Sequence, residues 1–343
     1  MTGSELRRDG LSGHWVMIAP GRAERPNNFK FGRLARARAS CPFCEGRENE
    51  TPPEIEALRK AGSVPDGGGW RVRVIPNKFP ALTFPAEGLA SEPSIRRGIG
   101  ESEAGVGVHE VVVDSPDHDR EWADLPVGQI RNILGTFRRR LRAIASRPGI
   151  RYIQVFKNKG AEAGASIRHP HTQILALPIV PRQIRDEITA LRRHRRTDGR
   201  CYFCRLIEEE GAGPRMISLD RDFVVLAPFA SRFPYEAHIL PRRHSPHFAE
   251  TTDKELAALA RTMKSVFRHL RSSASDPAFH LILRQAPSPR PDRSGASRPD
   301  ADAHWRFEIL PVLSAIAGFE WGTGCFINPV APERAAAALR GSR

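Results

Sequence analysis

The chain has 343 residues, and 53 Lys+Arg against 39 Asp+Glu give a net charge of +14. That length allows a substantial core, in one large domain or two ordinary ones. No segment reaches the apolar length of a membrane span, and the opening MTGSELRRDGLSGHWVMIAP has no apolar run after its charges, so a cytoplasmic protein is expected. Arginine runs at 138–142 and 191–196 read first as solvated helix faces, and second as a surface for an anionic partner.

Five cysteines are more informative. Four form two Cys-x-x-Cys pairs, CPFC (Cys41, Cys44) and CYFC (Cys201, Cys204), and Cys325 stands alone. An odd count in a long chain argues against a disulfide framework, and this spacing points to metal ligands before a redox couple.

After CPFC come a β-rich run, WRVRVIPNKFPAL (70–82), and HEVVVDSPDH, ending at His118. An amphipathic helix follows, with Leu125, Ile130, Ile133, Leu134, Phe137, Leu141 and Ile144 in a helical period. Then come the strand RYIQVFKNKG (151–160) and the stretch SIRHPHTQILALP (166–178). After CYFC the order repeats. DFVVLAPFASRFPY (222–235) is followed by EAHILPRRH, ending at His244, and by a helix carrying Leu256, Leu259, Met263, Val266, Phe267 and Leu270. Thr252 and Glu255 form a capping-box pair at its start. AFHLILRQAP (278–287) and AHWRFEILP (from Ala303) complete the second copy.

The repeat predicts an α+β fold of two tandem half-domains, each an antiparallel sheet with a helix packed on it. Polar 288–302 is expected to be a mobile loop, and 86–105 a weaker one.

Zinc in a closed site takes four ligands. The repeat places them at Cys41, Cys44, His118 and one histidine of His-Pro-His, and at Cys201, Cys204, His244 and His304. A zinc ribbon for nucleic acid would keep its two pairs within a few tens of residues, whereas here a whole half-domain separates them. On a strand, His169 and His171 would share a face. Only one can complete the tetrahedron, which leaves the other rigid and free beside it, as suits a nucleophilic imidazole. Pro170 stiffens the join.

His-x-His-x-Gln after Cys-x-x-Cys and SPDH resembles the galactose-1-phosphate uridylyltransferase branch of the histidine-triad superfamily. The resemblance covers nearly the whole chain, through GRAERP (21–26), CPFC, PNKFPAL, SPDH, NKGAEAGAS, HPHTQ, PFASRFPYE and GFEWGTGCFINP (318–329). The two Cys pairs and the GFE tail are most similar to a subgroup that includes plant ADP-glucose phosphorylases.

The resemblance implies a histidine-triad-like half over 1–190 carrying catalysis, and a silent one over 191–343. It makes His169 a zinc ligand and His171 the nucleophile that takes a nucleotidyl group from a nucleotide sugar and passes it on. UDP-glucose with galactose 1-phosphate is the first substrate reading, and adenylyl transfer from ADP-glucose to phosphate the alternative. Gln173 would bind phosphoryl oxygens without activating water. Ser166, beside a run of small residues, would line the phosphates. Asn77 and Asn158 match positions that contact nucleotide and phosphates, Arg22 and Arg25 match nucleotide-reaching arginines, and Glu320 matches a ligand of sugar hydroxyls. A homodimer is implied, with no nucleic-acid or membrane partner. The chain departs from relatives that hold iron through an HWxxHxH-like stretch. Glu308 and Leu310 stand at the later histidine positions, and Arg306 replaces the second copy's nucleophile.

Overall fold

The computed structural model describes residues 4–24, 41–84, 95–288 and 302–341. Its strands are β1 (Glu5–Arg8), β2 (Trp15–Ile18), β3 (Glu56–Arg59), β4 (Trp70–Pro76), β5 (Ile95–Arg97), β6 (Gly100–Ser102), β7 (Val108–Val113), β8 (Tyr152–Lys159), β9 (His171–Leu177), β10 (Met216–Leu219), β11 (Phe223–Leu226), β12 (Ala237–Pro241), β13 (Ala278–Arg284), β14 (Arg306–Val312) and β15 (Phe326–Asn328). Its helices are α1 (Val127–Ala145), α2 (Arg182–Asp198), α3 (Tyr202–Glu210), α4 (Asp253–Ser273), α5 (Gly318–Thr323) and α6 (Pro332–Leu339).

Ten strands form one sheet, antiparallel throughout, in the order β10-β11-β12-β14-β13-β8-β9-β7-β4-β3. Counted inward from each edge, β3-β4-β7-β9-β8 matches β10-β11-β12-β14-β13, so the sequence duplication returns as two blocks of five. They join where β8 pairs with β13, with Lys159 opposite Phe279 and Phe156 opposite Ile282. The expected division after residue 190 falls inside α2.

Alternation along the strands sends Val72, Val74, Val112 and Ile174 to one face. There they meet Ile130, Ile133, Leu134 and Phe137 of α1 in one core cluster. The apolar stripe of α4, Leu256 to Leu270, packs in the same cluster with Val225, Ile239, Leu281 and Phe307. Each such side chain contributes about 1.5–3 kcal/mol by leaving water. Both helical faces read from the sequence are buried. The capping box also forms: Glu255 N–H donates to Thr252 Oγ1 at 3.2 Å, and Thr252 N–H to Glu255 Oε2 at 2.8 Å. The opposite face of the sheet carries Ile75, Val111, His171 and Gln173 in the first block, and His238, Arg306 and Glu308 in the second.

Three expectations need correction. Strand β9 begins at His171, so His169 precedes it; Pro170 has no N–H to enter a ladder. Of the 86–105 segment, 86–94 lies outside the described residues, and in the remainder Ile95 pairs with Ser102 in a hairpin around Gly98 at φ +66°, a turn conformation glycine adopts freely. The arginine runs do lie on helices, but Arg140 is buried and donates to Glu110 at 2.9 and 2.7 Å instead of facing solvent. Of the 288–302 loop, 289–301 lies outside the described residues.

Candidate active site and metal centres

Cys41 and Cys44 lie on a turn whose main chain closes from Cys44 N to Cys41 O at 3.2 Å. His118 follows β7, and His169 immediately precedes β9. Fold contacts gather these four. Cys44 Sγ is 3.3 Å from His118 Nδ1 and 3.6 Å from His169 Nδ1, and Cys41 Sγ is 3.8 Å from His169 Nδ1. All four donor atoms lie within 4.8 Å of one another. His169 Nε2–H donates to Ser115 O at 2.7 Å, which turns the lone pair of Nδ1 toward the sulfurs. Burial holds the His169 imidazole down to about 4, in the neutral form a ligand needs.

The second cluster repeats this construction. Cys204 Sγ lies 3.6 Å from His244 Nδ1 and 3.7 Å from His304 Nδ1, with Cys201 Sγ 3.9 Å from His304 Nδ1. His304 Nε2–H donates to Pro241 O at 2.8 Å, as His169 does to Ser115. The two imidazoles stand edge to face in both clusters, at 86° in the first and 89° in the second. The hydrogen bond with Cys204 is the largest cause that pulls the Cys201 thiol well below its ordinary range. Two sulfurs and two oriented nitrogens suit a tetrahedral metal, and each cluster could hold one. The eight ligands expected from sequence are the eight that converge.

His171 is held differently. Its Nδ1–H donates to the His169 carbonyl at 2.8 Å, which places the lone pair on Nε2. Burial pushes this imidazole below its ordinary value, and the charge of Lys157 adds to that effect. Phe43 packs against the ring, with centroids 5.3 Å apart. Behind the strand, Asp114 fixes the entry to β9. Its backbone N–H donates to Pro170 O at 3.1 Å, and its carboxylate accepts from Thr172 Oγ1 at 3.0 Å. The same carboxylate takes Trp122 Nε1–H at 2.8 Å and pairs with buried Lys157 at 3.2 Å.

His171 opens on a pocket of about 500 Å³, lined also by Gln173, Ser166, Asn77 and Phe43. Gly160 and Gly164, at φ +87° and +74°, fold the NKGAEAGAS stretch back so that Ser166 reaches the rim. Four of the expected site residues therefore meet. Of the others, the three that are described do not line this pocket. Asn158 Oδ1 accepts from His280 Nδ1–H at 2.9 Å on the β8–β13 seam. Arg22 is exposed on a short 3-10 turn, Pro20–Glu24. Glu320 sits at the start of α5 and accepts the Ala317 N–H at 3.0 Å. Arg25 lies outside the described residues. Glu50, Thr51 and Lys78 also line the pocket and were not anticipated; only Lys78, inside PNKFPAL, carried a sequence signal.

The equivalent place in the second block is a cavity of about 340 Å³ whose lining is an ionic network in place of an imidazole. Arg306 stands at the position of His171, donating to Glu187 at 2.8 Å and to Glu308 at 2.7 Å, and lies over the Phe203 ring at 4.6 Å. Arg232 adds contacts to Glu236 at 2.9 Å and Glu308 at 3.1 Å.

Fold and site define an α+β protein with two Cys₂His₂ clusters, one of them flanked by an imidazole that faces a pocket. A family model described as the N-terminal domain of galactose-1-phosphate uridyl transferase matches residues 2–181. A second model, described only as a domain of unknown function, matches 139–340. The ADP-glucose phosphorylase of Arabidopsis thaliana is 37% identical over 98% of this chain and 92% of its own. The galactose-1-phosphate uridylyltransferase of Thermotoga maritima is 30% identical over 98% of both chains. Among solved structures, the Arabidopsis ADP-glucose phosphorylase with bound ADP-glucose superimposes with a TM-score of 0.83 at 34% identity, covering 99% of this chain and 100% of that one. A uridylyltransferase gives 0.74 at 30% identity, covering 98% and 97%. The chain belongs to the galactose-1-phosphate uridyl transferase family and is a nucleotidyltransferase. Among the described residues no helix is long and apolar enough to cross a membrane.

Proposed function

We propose that the protein exchanges a nucleoside monophosphate between a nucleotide sugar and a phosphate acceptor through a covalent adduct on His171. The carrying observation is that Nδ1–H is committed to the His169 carbonyl at 2.8 Å while the ring lines the pocket. His171 Nε2 attacks the α-phosphorus. An N–P bond forms, the P–O bond to the sugar phosphate breaks, and the leaving oxygen carries the electron pair away. The resulting imidazolium keeps its Nδ1–H on the carbonyl, which stabilises the charge. A phosphate oxygen of the acceptor then displaces Nε2. Gln173, Ser166 and Asn77 bind the phosphoryl group and nucleotide as neutral donors, which favours transfer over hydrolysis.

We take UDP-glucose and galactose 1-phosphate as the substrates. The 37% identity to a plant ADP-glucose phosphorylase favours a second reading, adenylyl transfer from ADP-glucose to phosphate. Zinc is our assignment for both clusters, supported by the sulfur and nitrogen donors. It would tie the 41–44 turn, the SPDH turn and the entry to β9 into one rigid unit. The second half, from about residue 191, is taken as silent because Arg306 offers no lone pair. A homodimer would account for Arg22 and Glu320 lying away from the pocket and for Trp321 and Phe319 exposed beside Glu320.

Incubation with UDP-glucose or ADP-glucose followed by intact-mass measurement tests this. A UMP adduct supports the first reading and an AMP adduct the second. His171→Gly should abolish the adduct while fold and metal content persist. Normal exchange by that variant would refute the role given to His171.

A further inference from the structure

His109 takes no part in the chemistry above. It lies on β7, half-buried behind Asn77 and Gln173. Its Nδ1 is 3.1 Å from the backbone nitrogen of Ala81. A main-chain N–H can only donate, so Nδ1 must present its lone pair and the ring proton sits on Nε2. That proton decides the next contact. Nε2–H donates to Gln173 Oε1 at 3.0 Å, so the amide oxygen is spent and the NH₂ group is the end left for the pocket. Asn77 is turned the same way, because its Oδ1 accepts the Phe79 N–H at 2.9 Å. Asn77 Nδ2 lies 3.1 Å from His109 Nε2, but both are donors, so this is a contact and not a hydrogen bond.

We propose that His109 is a positioning residue for phosphoryl transfer, fixing the amide of Gln173 so that NH₂ rather than C=O meets the phosphoryl oxygens. It rests on the reading of His171 as nucleophile. The logic is one of sign. Phosphoryl oxygens only accept, so a Gln173 amide turned end for end would set oxygen against anionic oxygen. An unrestrained amide has little to choose between the two orientations in the free enzyme. The chain from Ala81 N–H through the imidazole removes the choice before substrate arrives, which is electrostatic preorganisation.

His109 also braces the Asn77–Ala81 turn, so the test must separate bracing from orientation. With the donor that the parent accepts, UDP-glucose or ADP-glucose, the rate of His171 adduct formation is measured in single turnover. His109→Leu is expected to slow it about 10- to 100-fold, with KM changed less than about threefold. His109→Gln, which can accept at one end of its amide and donate at the other, should restore most of the rate. In a Gln173→Ala background, His109→Leu should cost less than about threefold, because its target is gone. An equal loss in both backgrounds, or no loss in the parent, overturns the proposal. If the parent forms no adduct with either donor, it is the reading of His171 that fails. His109 is then judged by ¹⁵N NMR of its ring, where a proton on Nε2 whose shift moves on Gln173→Ala supports the arrangement and a proton on Nδ1 refutes it.

Discussion

Asp114→Ala should be among the most destabilising single changes in the first half. Asp114 is fully buried, and its carboxylate serves Lys157 at 3.2 Å, Thr172 at 3.0 Å and Trp122 at 2.8 Å. Truncation leaves Lys157, itself buried, with Glu121 at 3.2 Å as its remaining counter-charge. Breaking a buried ion pair costs about 3–5 kcal/mol, and each buried donor left without an acceptor about 1–3 kcal/mol. The terms share one group and do not add, so a loss of about 4–6 kcal/mol is expected. Against a total stability of about 5–15 kcal/mol, that removes about a quarter or more of it, and at the low end of the range leaves the variant partly unfolded at room temperature. Asp114→Asn keeps an oxygen for Thr172 or Trp122 but loses the charge, and should fall between variant and parent. Urea unfolding followed by far-UV circular dichroism measures all three proteins, with the slope m checked for constancy. A loss below about 1.5 kcal/mol for Asp114→Ala, at unchanged m, would show that water or rearrangement satisfies these groups and would refute the reasoning.

Three more outcomes are expected. Metal analysis should find two zinc ions per chain, falling to one in Cys201→Ser; a single ion in the parent would remove the second site. Burial would raise the Glu236 carboxyl, but the Arg232 charge and the hydrogen bonds from His238 and Arg232 outweigh it and hold it down to about 2. Its folded value lies below its unfolded one, so this stabilisation, at most about 3 kcal/mol, is complete above pH ~4.5 and lost as pH falls toward 2. The melting temperature should drop across that window, and less steeply in Glu236→Gln. Thr252→Ala removes the cap of α4 and should cost about 1 kcal/mol by the same urea assay, with an unchanged midpoint as the failing result.

Much of the architecture was legible because it rests on period and repetition. The stripes of α1 and α4 were readable residue by residue, since a helix that packs on a sheet must keep its apolar face. The two Cys/His clusters were readable because each member exists twice, at matching places. What escaped depends on contacts between distant segments. Nothing local marks Arg140 as buried, because its partner Glu110 lies on another element and the run around it looks like any solvated face. His109 was missed for the same reason, as its meaning comes from Ala81 and Gln173 on either side. Alternation from Val111 would have put it on the face of Gln173, but alternation alone assigns no partner. Arg22 and Glu320 entered through resemblance, and their distance from the pocket within one chain follows from positions that no pattern in the sequence encodes.

On the proposed reading of His171, the two halves share a Cys₂His₂ cluster and differ at the place of the nucleophile. His169, His171 and Gln173 correspond in spacing and strand position to His304, Arg306 and Glu308. The first member of each set keeps its carbonyl partner and its two sulfurs. The second and third have changed together, from imidazole and amide to guanidinium and carboxylate. Neither change is tolerable alone in that interior. An arginine without Glu308 and Glu187 would be a buried unpaired cation, and Glu308 without Arg306, Arg232 and Arg284 a buried unpaired anion. Burial by itself would raise the Glu308 carboxyl, yet those arginines hold it far below its ordinary range. A carboxylate so fixed repels phosphoryl oxygens, and a guanidinium committed to two acids has neither a lone pair to attack with nor a free fork to bind with. On that reading, giving this half a nucleophilic imidazole would require replacing the whole ionic network, whereas the Cys₂His₂ cluster beside it could stay as it is.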